Sequence, residues 1–183
     1  MRVIAGTARS MPLKTVPGLD TRPTTDRIKE TLFNVLMPYV PDADFLDLFA
    51  GSGQIGIEAL SRGARSAIFV DNAKAAQDCI KDNLKFTKFS DKAVVSRMDV
   101  LSFLSTQKTI ACDLIFMDAP YESGLNKEAL RILSGKAFKY EETMIVCEDL
   151  KDADYSDVSE LGFEIVKEKV YKTNKHVFLK KTS

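Results

Sequence analysis

Histidine occurs once in this 183-residue chain and cysteine three times, with no C-x-x-C pair. That scarcity leaves no cluster for a structural zinc. The odd set Cys79, Cys112 and Cys147 points to a reducing compartment, not to a disulfide framework. Cys112 and Cys147 sit in apolar runs and are expected in the core. Also missing is any apolar run approaching the roughly 20 residues of a membrane span, and no h-region stands near the N-terminus. A cytoplasmic protein is expected. Nor is there an excess of charge: 26 basic residues balance 26 acidic ones, which excludes a global polycationic field. No internal repeat or low-complexity linker interrupts the chain. What remains is 45% apolar and 28% charged, enough for one globular domain with a substantial core.

The balanced total conceals local bias. Residues 1–30 carry six basic groups (Arg2, Arg9, Lys14, Arg22, Arg27, Lys29) against three acidic ones, and residues 164–183 carry six lysines against Glu164 and Glu168. Residues 141–160 are strongly acidic. The two chain ends can therefore build one basic face, the footprint of a nucleic-acid partner. A solvated surface with chance clustering is the plainer alternative.

Residues 1–23 hold only short apolar runs among Arg, Gly, Pro and Thr, which predicts an N-terminal arm or small hairpin ahead of one domain spanning 24–183. Thr24, Thr25 and Asp26 offer N-caps to a helix whose apolar face is Ile28, Leu32, Val35 and Leu36, stopped near Pro38 and Pro41. Strand-like runs follow at Phe45–Leu48, Ala67–Val70, Ala93–Ser96, Leu114–Met117 and Thr143–Cys147. Helical stretches lie between them, at about 54–62, 73–87, 99–106 and 124–135. Such alternation predicts an α/β fold with a parallel sheet and helices on both faces. The tail differs: Phe163–Tyr171 and Lys175–Leu179 flank the turn-prone Thr173-Asn174 and read as an antiparallel hairpin. A Rossmann-like, seven-stranded, mostly parallel sheet closed by such a hairpin is the outline of a class I S-adenosylmethionine-dependent methyltransferase.

The segment Asp47–Gly56 (DLFAGSGQIG) joins the first central strand to its helix, and its glycines fit G-x-G-x-x-G. Asp71 ends the next strand, where a ribose-binding acid belongs, with Asn72 beside it. Nicotinamide and flavin enzymes share this turn, but a carboxylate at Asp47 would repel their pyrophosphate. It would attract S-adenosylmethionine, which presents an ammonium and a sulfonium instead. Asp47 could alternatively cap the helix. Candidate donor-binding residues are thus Asp47, Phe49, Ala50, Gly51, Gly53, Asp71 and Asn72. Further on, Asp99 could accept the adenine amino group while Met98 or Val100 lines the ring; Asp99 could equally cap the helix that it opens. Asp47, Asp71, Asp99 and Asp118 all fall at the ends of successive strands, the rim where open parallel sheets bind ligands.

The buried run Leu114–Met117 ends on Asp118-Ala119-Pro120-Tyr121. Asp118 can accept one N–H of an exocyclic amine, the Ala119 carbonyl the other, and the Tyr121 ring can stack on the base. Methyl transfer to a nucleobase amine is the chemistry that this loop would serve, with Asp118 reaching the donor as well. These pieces resemble the RsmD family of 16S ribosomal RNA guanine-N2 methyltransferases over nearly the full length. The likeness is carried by Arg22–Asn34 (RPTTDRIKETLFN), Leu46–Gly53 (LDLFAGSG), Gly56–Gly63 (GIEALSRG) and the Asp118 loop. It implies S-adenosylmethionine as donor and no metal. It implies as acceptor a guanine N2 in 16S rRNA, within a partly assembled small subunit. The family's loop reads Asp-Pro-Pro-Tyr or Asp-Pro-Pro-Phe. Ala119 in place of the first proline gives up one locked φ, yet keeps its carbonyl and the extended bias of a residue preceding proline.

Arg2, Arg9, Lys14, Arg22 and Arg27 are the candidates for rRNA phosphates. His176, on the terminal hairpin, is assigned to surface or core, and Tyr39, Tyr155 and Tyr171 receive no role. Three other readings stay open at this level. They are an adenine-N6 or glutamine-amide methyltransferase, a nicotinamide-dependent oxidoreductase, and an RNA-binding module that kept the fold without the activity.

Overall fold

The computed structural model describes residues 1–18 and 25–182. Its first helix, α1 (Asp26–Leu36), starts where the Thr25 hydroxyl accepts the Ile28 N–H at 3.3 Å and stops one residue short of Met37-Pro38. β1 (Asp44–Leu48), α2 (Gln54–Ser61), β2 (Ser66–Val70), α3 (Lys74–Thr87) and β3 (Ala93–Ser96) then alternate as the apolar periodicity predicts. α4 (Val100–Thr106) follows, and then the two-residue β4 (Thr109–Ile110), β5 (Leu114–Met117), α5 (Leu125–Ser134) and the two-residue β6 (Ala137–Phe138). The chain ends with β7 (Met144–Leu150), β8 (Phe163–Val170) and β9 (Asn174–Lys181).

Seven of these strands form one sheet in the order β3-β2-β1-β5-β7-β9-β8. The first five run parallel, while β9 pairs antiparallel with β7 and with β8, so the predicted terminal hairpin does close the sheet. β4 and β6 pair separately as a small parallel ladder, which the sequence pattern did not announce. β7 also runs past the predicted end at Cys147, through Glu148 and Asp149 to Leu150.

Alternation along the strands sends side chains to two cores. Phe45, Phe69, Leu114, Phe116, Val146 and Phe178 face one way and pack with residues of α1, α2 and α3. Leu46, Leu48, Ile115, Met117, Ile145, Cys147, Val177 and Leu179 face the other way, under α4 and α5. Among the described residues no helix is long and apolar enough to cross a membrane. All three cysteines are buried.

The N-terminal segment doubles back on itself, with Val3 N–H donating to the Met11 carbonyl and Arg2 bridging Pro12. It is fastened to α2 through Glu58, whose side chain is fully buried. The Glu58 carboxylate accepts the Ile4 and Ala5 N–H groups at 2.8 and 3.0 Å and the Arg62 Nε at 2.8 Å. The Lys29 ammonium of α1 lies 3.5 Å away, equally buried, and donates to the Arg2 carbonyl at 2.5 Å. Burial pushes Lys29 down from its ordinary value and Glu58 pulls it back up. Gly6 completes the seam. A Cβ there would sit 1.8 Å from the Ser61 carbonyl oxygen, so no other residue fits.

Removing one partner of a buried ion pair strands the other. Glu58→Ala should therefore lower stability by about 3–5 kcal/mol in urea unfolding. It should also expose residues 1–18 to limited proteolysis before the sheet melts.

Candidate functional site

The segment between β1 and α2 bends through three left-handed residues: Phe49 (φ 60°), Gly51 (φ 56°) and Gly53 (φ 76°). Glycine adopts this region freely, whereas Phe49 does so at a cost, and strain of this kind concentrates at ligand-binding turns. Asp71, just past β2, ties the turn together: one carboxylate oxygen accepts the Gly51 N–H at 2.9 Å, the other the Ala73 N–H at 2.9 Å. Ala50 is buried and Asn72 exposed.

Asp47 lies within β1, one residue before its end, and is 2% exposed. Its Oδ2 accepts the Gly56 N–H at 2.9 Å. A Cβ at residue 56 would fall 2.4 Å from the Phe69 ring and 3.1 Å from that same carboxylate oxygen, so glycine is what allows α2 to settle here. Burial pushes Asp47 up to about 8, the Gly56 bond opposes this, and the charge of Asp71 adds to it. The Gln54 side-chain oxygen, at the first position of α2, is buried with no hydrogen-bond partner. A high-lying buried carboxylate and an orphaned acceptor beside one glycine turn fit a cationic ligand and would disfavour a pyrophosphate.

Asp118 follows β5 directly. Burial first, then the charges of Glu148, Asp47 and Asp149, holds its carboxyl well above the usual range. Ala119 is buried, Pro120 exposed, and the Tyr121 side chain 44% exposed. A cleft of about 440 Å³ opens beside this loop. Ala119, Pro120, Asn126, Asp149 and Ala153 line it, and Thr173 of the β8–β9 turn also reaches it.

Asp99 behaves as the helix cap weighed above: its Oδ1 accepts the Ser102 N–H at 3.0 Å. Its side chain is exposed, Met98 is half-buried, and Val100 packs into the core under α4. Of the basic candidates, Arg2 and Lys14 are exposed and paired with Asp26 at 2.9 Å and Asp82 at 2.7 Å, while Arg9 and Arg27 are exposed. Arg22 and Thr24 lie outside the described residues. The N-terminal segment touches the donor-side turn directly, through Ser52 Oγ to Met1 Sδ at 3.5 Å. It does so again through Asn83, which bonds Lys14 and the Ser52 carbonyl. Glu148, Asp149 and Gln54 are not among the site residues expected from the sequence. The first two do end an apolar run, the same signal that singled out Asp118.

The strand order and the glycine turn between β1 and α2 define a class I methyltransferase fold, Rossmann-like with a terminal antiparallel hairpin. The solved structure of yhhF from Escherichia coli superposes with a TM-score of 0.85 at 34% identity, covering 100% of this chain and 98% of that one. Residues 1–180 match the family described as conserved hypothetical protein 95. The chain belongs to that family, which is the RsmD family of the sequence resemblance. Ribosomal RNA small subunit methyltransferase D of Escherichia coli K12 is 39% identical over 81% of this chain and 74% of its own length. Its namesake in Haemophilus influenzae is 38% identical over 83% and 80%.

A carboxyl whose native value is raised contributes stability below the ordinary range near 4 and loses it as pH rises through about 8. Asp47→Asn should therefore melt higher than the parent at pH 8.5, with the gap closing towards pH 5. It should also bind S-adenosylhomocysteine more weakly at every pH. Paired thermal melts and calorimetric titrations check both.

Proposed function

We propose that this protein methylates the exocyclic N2 of a guanine in 16S rRNA, using S-adenosylmethionine, within a partly assembled small subunit. The observation that carries the reading is the placement of Asp47 and Asp118 on one face of the sheet rim. The glycine turn follows Asp47, and a cleft lined by Ala119 and Pro120, next to Asp118 in the chain, opens beside the loop. Relatives named ribosomal RNA small subunit methyltransferase D supply the substrate class.

Asp47, Gly51, Gly53 and Gln54 would hold the amino-acid end of the donor, Asp71 and Asn72 its ribose, and Met98, Asp99 and Val100 its adenine. When bound, S-adenosylmethionine supplies an electrophilic methyl group on a sulfonium. The protein's part is orientation and charge. Asp118 accepts one amine N–H and the Ala119 carbonyl the other, which draws the nitrogen out of conjugation with the ring. Asp118 then offsets the positive charge that develops on nitrogen and is placed to take the proton that leaves it. Tyr121 offers its exposed ring as a stacking surface for a base swung out of its helix. The cleft along Ala119 and Pro120 has the volume to seat a nucleotide.

Arg2, Arg9, Lys14 and Arg27, with Arg22, would contact RNA phosphates. The Arg2–Asp26 and Lys14–Asp82 pairs are exposed and weak, so phosphates can displace the acids readily.

Nucleoside mapping of 16S rRNA from cells with and without this protein should show one N2-methylguanosine that depends on it. In vitro, Asp118→Ala should cut turnover on the order of 10²-fold or more while S-adenosylhomocysteine affinity holds. Equal losses in turnover and affinity would assign Asp118 to the donor instead.

A further inference from the structure

The chain's single histidine stands at the centre of a buried polar cluster that the mechanism above leaves unused. His176 is fully buried and Glu148 is 4% exposed. His176 Nε2 lies 3.0 Å from Glu148 Oε2, and the Asn174 amide donates to Glu148 Oε1 at 2.7 Å. The other ring nitrogen, Nδ1, is 3.1 Å from the Tyr171 hydroxyl. With Glu148 as a carboxylate, Nε2 carries the hydrogen and donates it, and Nδ1 accepts from Tyr171. The Phe116 and Phe178 rings meet the imidazole edge-on, with centroids at 6.1 and 6.4 Å. Every polar edge of the imidazole is engaged, so its orientation is fixed.

Strand register places this cluster against the reacting loop. Glu148 pairs with His176 across β7 and β9, and one residue beyond the Met117–Cys147 pair, Asp118 comes abreast of Glu148. The three side chains therefore form one row on the face shared with Phe116, Val146 and Phe178, with Glu148 in the middle. Other ionisable groups surround the row. Asp47 of β1 lies on the same face. Asp149 lies on the opposite face, held by the Tyr155 hydroxyl at 2.9 Å. Lys169 is in register with His176 on β8, and Lys175 is engaged with Glu168 at 3.0 Å. Burial pushes the Tyr171 phenol up to about 12, with Glu148 adding to it.

An apolar pair at positions 148 and 176 would fill this core without the desolvation cost of a carboxylate. We infer that Glu148, pinned by Asn174 and His176, is a positioning residue for Asp118 and governs its readiness to accept the amine N–H. The inference rests on Asp118 being the amine acceptor. Electrostatics run the same way: after burial, Glu148 is the largest influence raising Asp118. A cation bound at that rim would act in the opposite sense and favour the ionised form of Asp118.

The test is the pH dependence of kcat for rRNA methylation at saturating donor, compared across three variants. Glu148→Gln keeps the shape and removes the charge, so the acid limb should move to lower pH by about one unit or more. His176→Phe keeps the ring packing but removes the donor that offsets the Glu148 charge, so the limb should move to higher pH. S-adenosylhomocysteine affinity should stay at the parent value in both, which a merely structural role would not combine with opposite limb shifts. A limb that stays in place in Glu148→Gln, or that moves the same way in both variants, overturns the inference. Should His176→Phe fail to fold, the Glu148→Gln limb decides alone. Asp118→Asn separates the two readings. If it retains parental turnover, the acceptor assignment itself is wrong; if it is inactive while the Glu148→Gln limb stays put, only the positioning role falls.

Discussion

Carboxyl groups crowded at one rim of a sheet, in a partly water-free setting, are the constraint that the remainder of this structure accommodates. Asp47, Asp118 and Glu148 all fall on the same face of neighbouring strands, and the charges of Glu148 and Asp47 add to burial in holding Asp118 above the usual carboxylate range. Buried carboxylates repel one another far more strongly than exposed ones do, and an apolar rim would fold more easily. Such an arrangement persists when something positively charged completes it. A sulfonium with an ammonium nearby is a cation of that kind, and no phosphate-bearing cofactor is.

The scaffold keeps the crowding local. Asp47 is held by the first turn of α2, and that approach exists because residue 56 has no side chain to strike Phe69. Asp71 spends both oxygens on the backbone of the turn and of α3, so the glycine segment is shaped before any ligand arrives. At the far end of the rim, Glu148 is answered from the antiparallel hairpin, by Asn174 and His176. On the same face, the N-terminal segment is anchored to α2 by Glu58 and reaches the Ser52 corner of the turn. That places basic side chains near the donor end of the site without any overall positive charge.

Most of the architecture could be read from the chain because its signals are local. Period-two and period-3.6 apolar patterns, a glycine turn and an acid closing each buried run all lie within ten or so residues. The acids at 47, 71 and 118 were legible for that reason, and so was Asp99, both as a strand-end acid and as a helix cap; the structure shows the cap. What escaped is non-local. β7 continues through Glu148 and Asp149 because β9, some 26 residues later, supplies His176 and Asn174 to accommodate them. No window around residue 148 contains that information. Lys29 sits among polar neighbours in α1 and looks solvent-exposed in sequence, yet is buried against Glu58 from another helix. β4 and β6 are two residues each, too short to carry a period. The lone histidine drew no role for the same reason: its partners lie on a different strand and beyond a turn.

Burial pushes Asp47 up to about 8, so a cationic donor that binds beside it near neutrality should drive its proton off. Calorimetric titration of S-adenosylmethionine at pH 7, in buffers of differing ionisation enthalpy, counts the protons exchanged on binding. Net proton release by the parent that disappears in Asp47→Asn is the predicted result. Binding with no proton exchange, or identical exchange in both proteins, would contradict it.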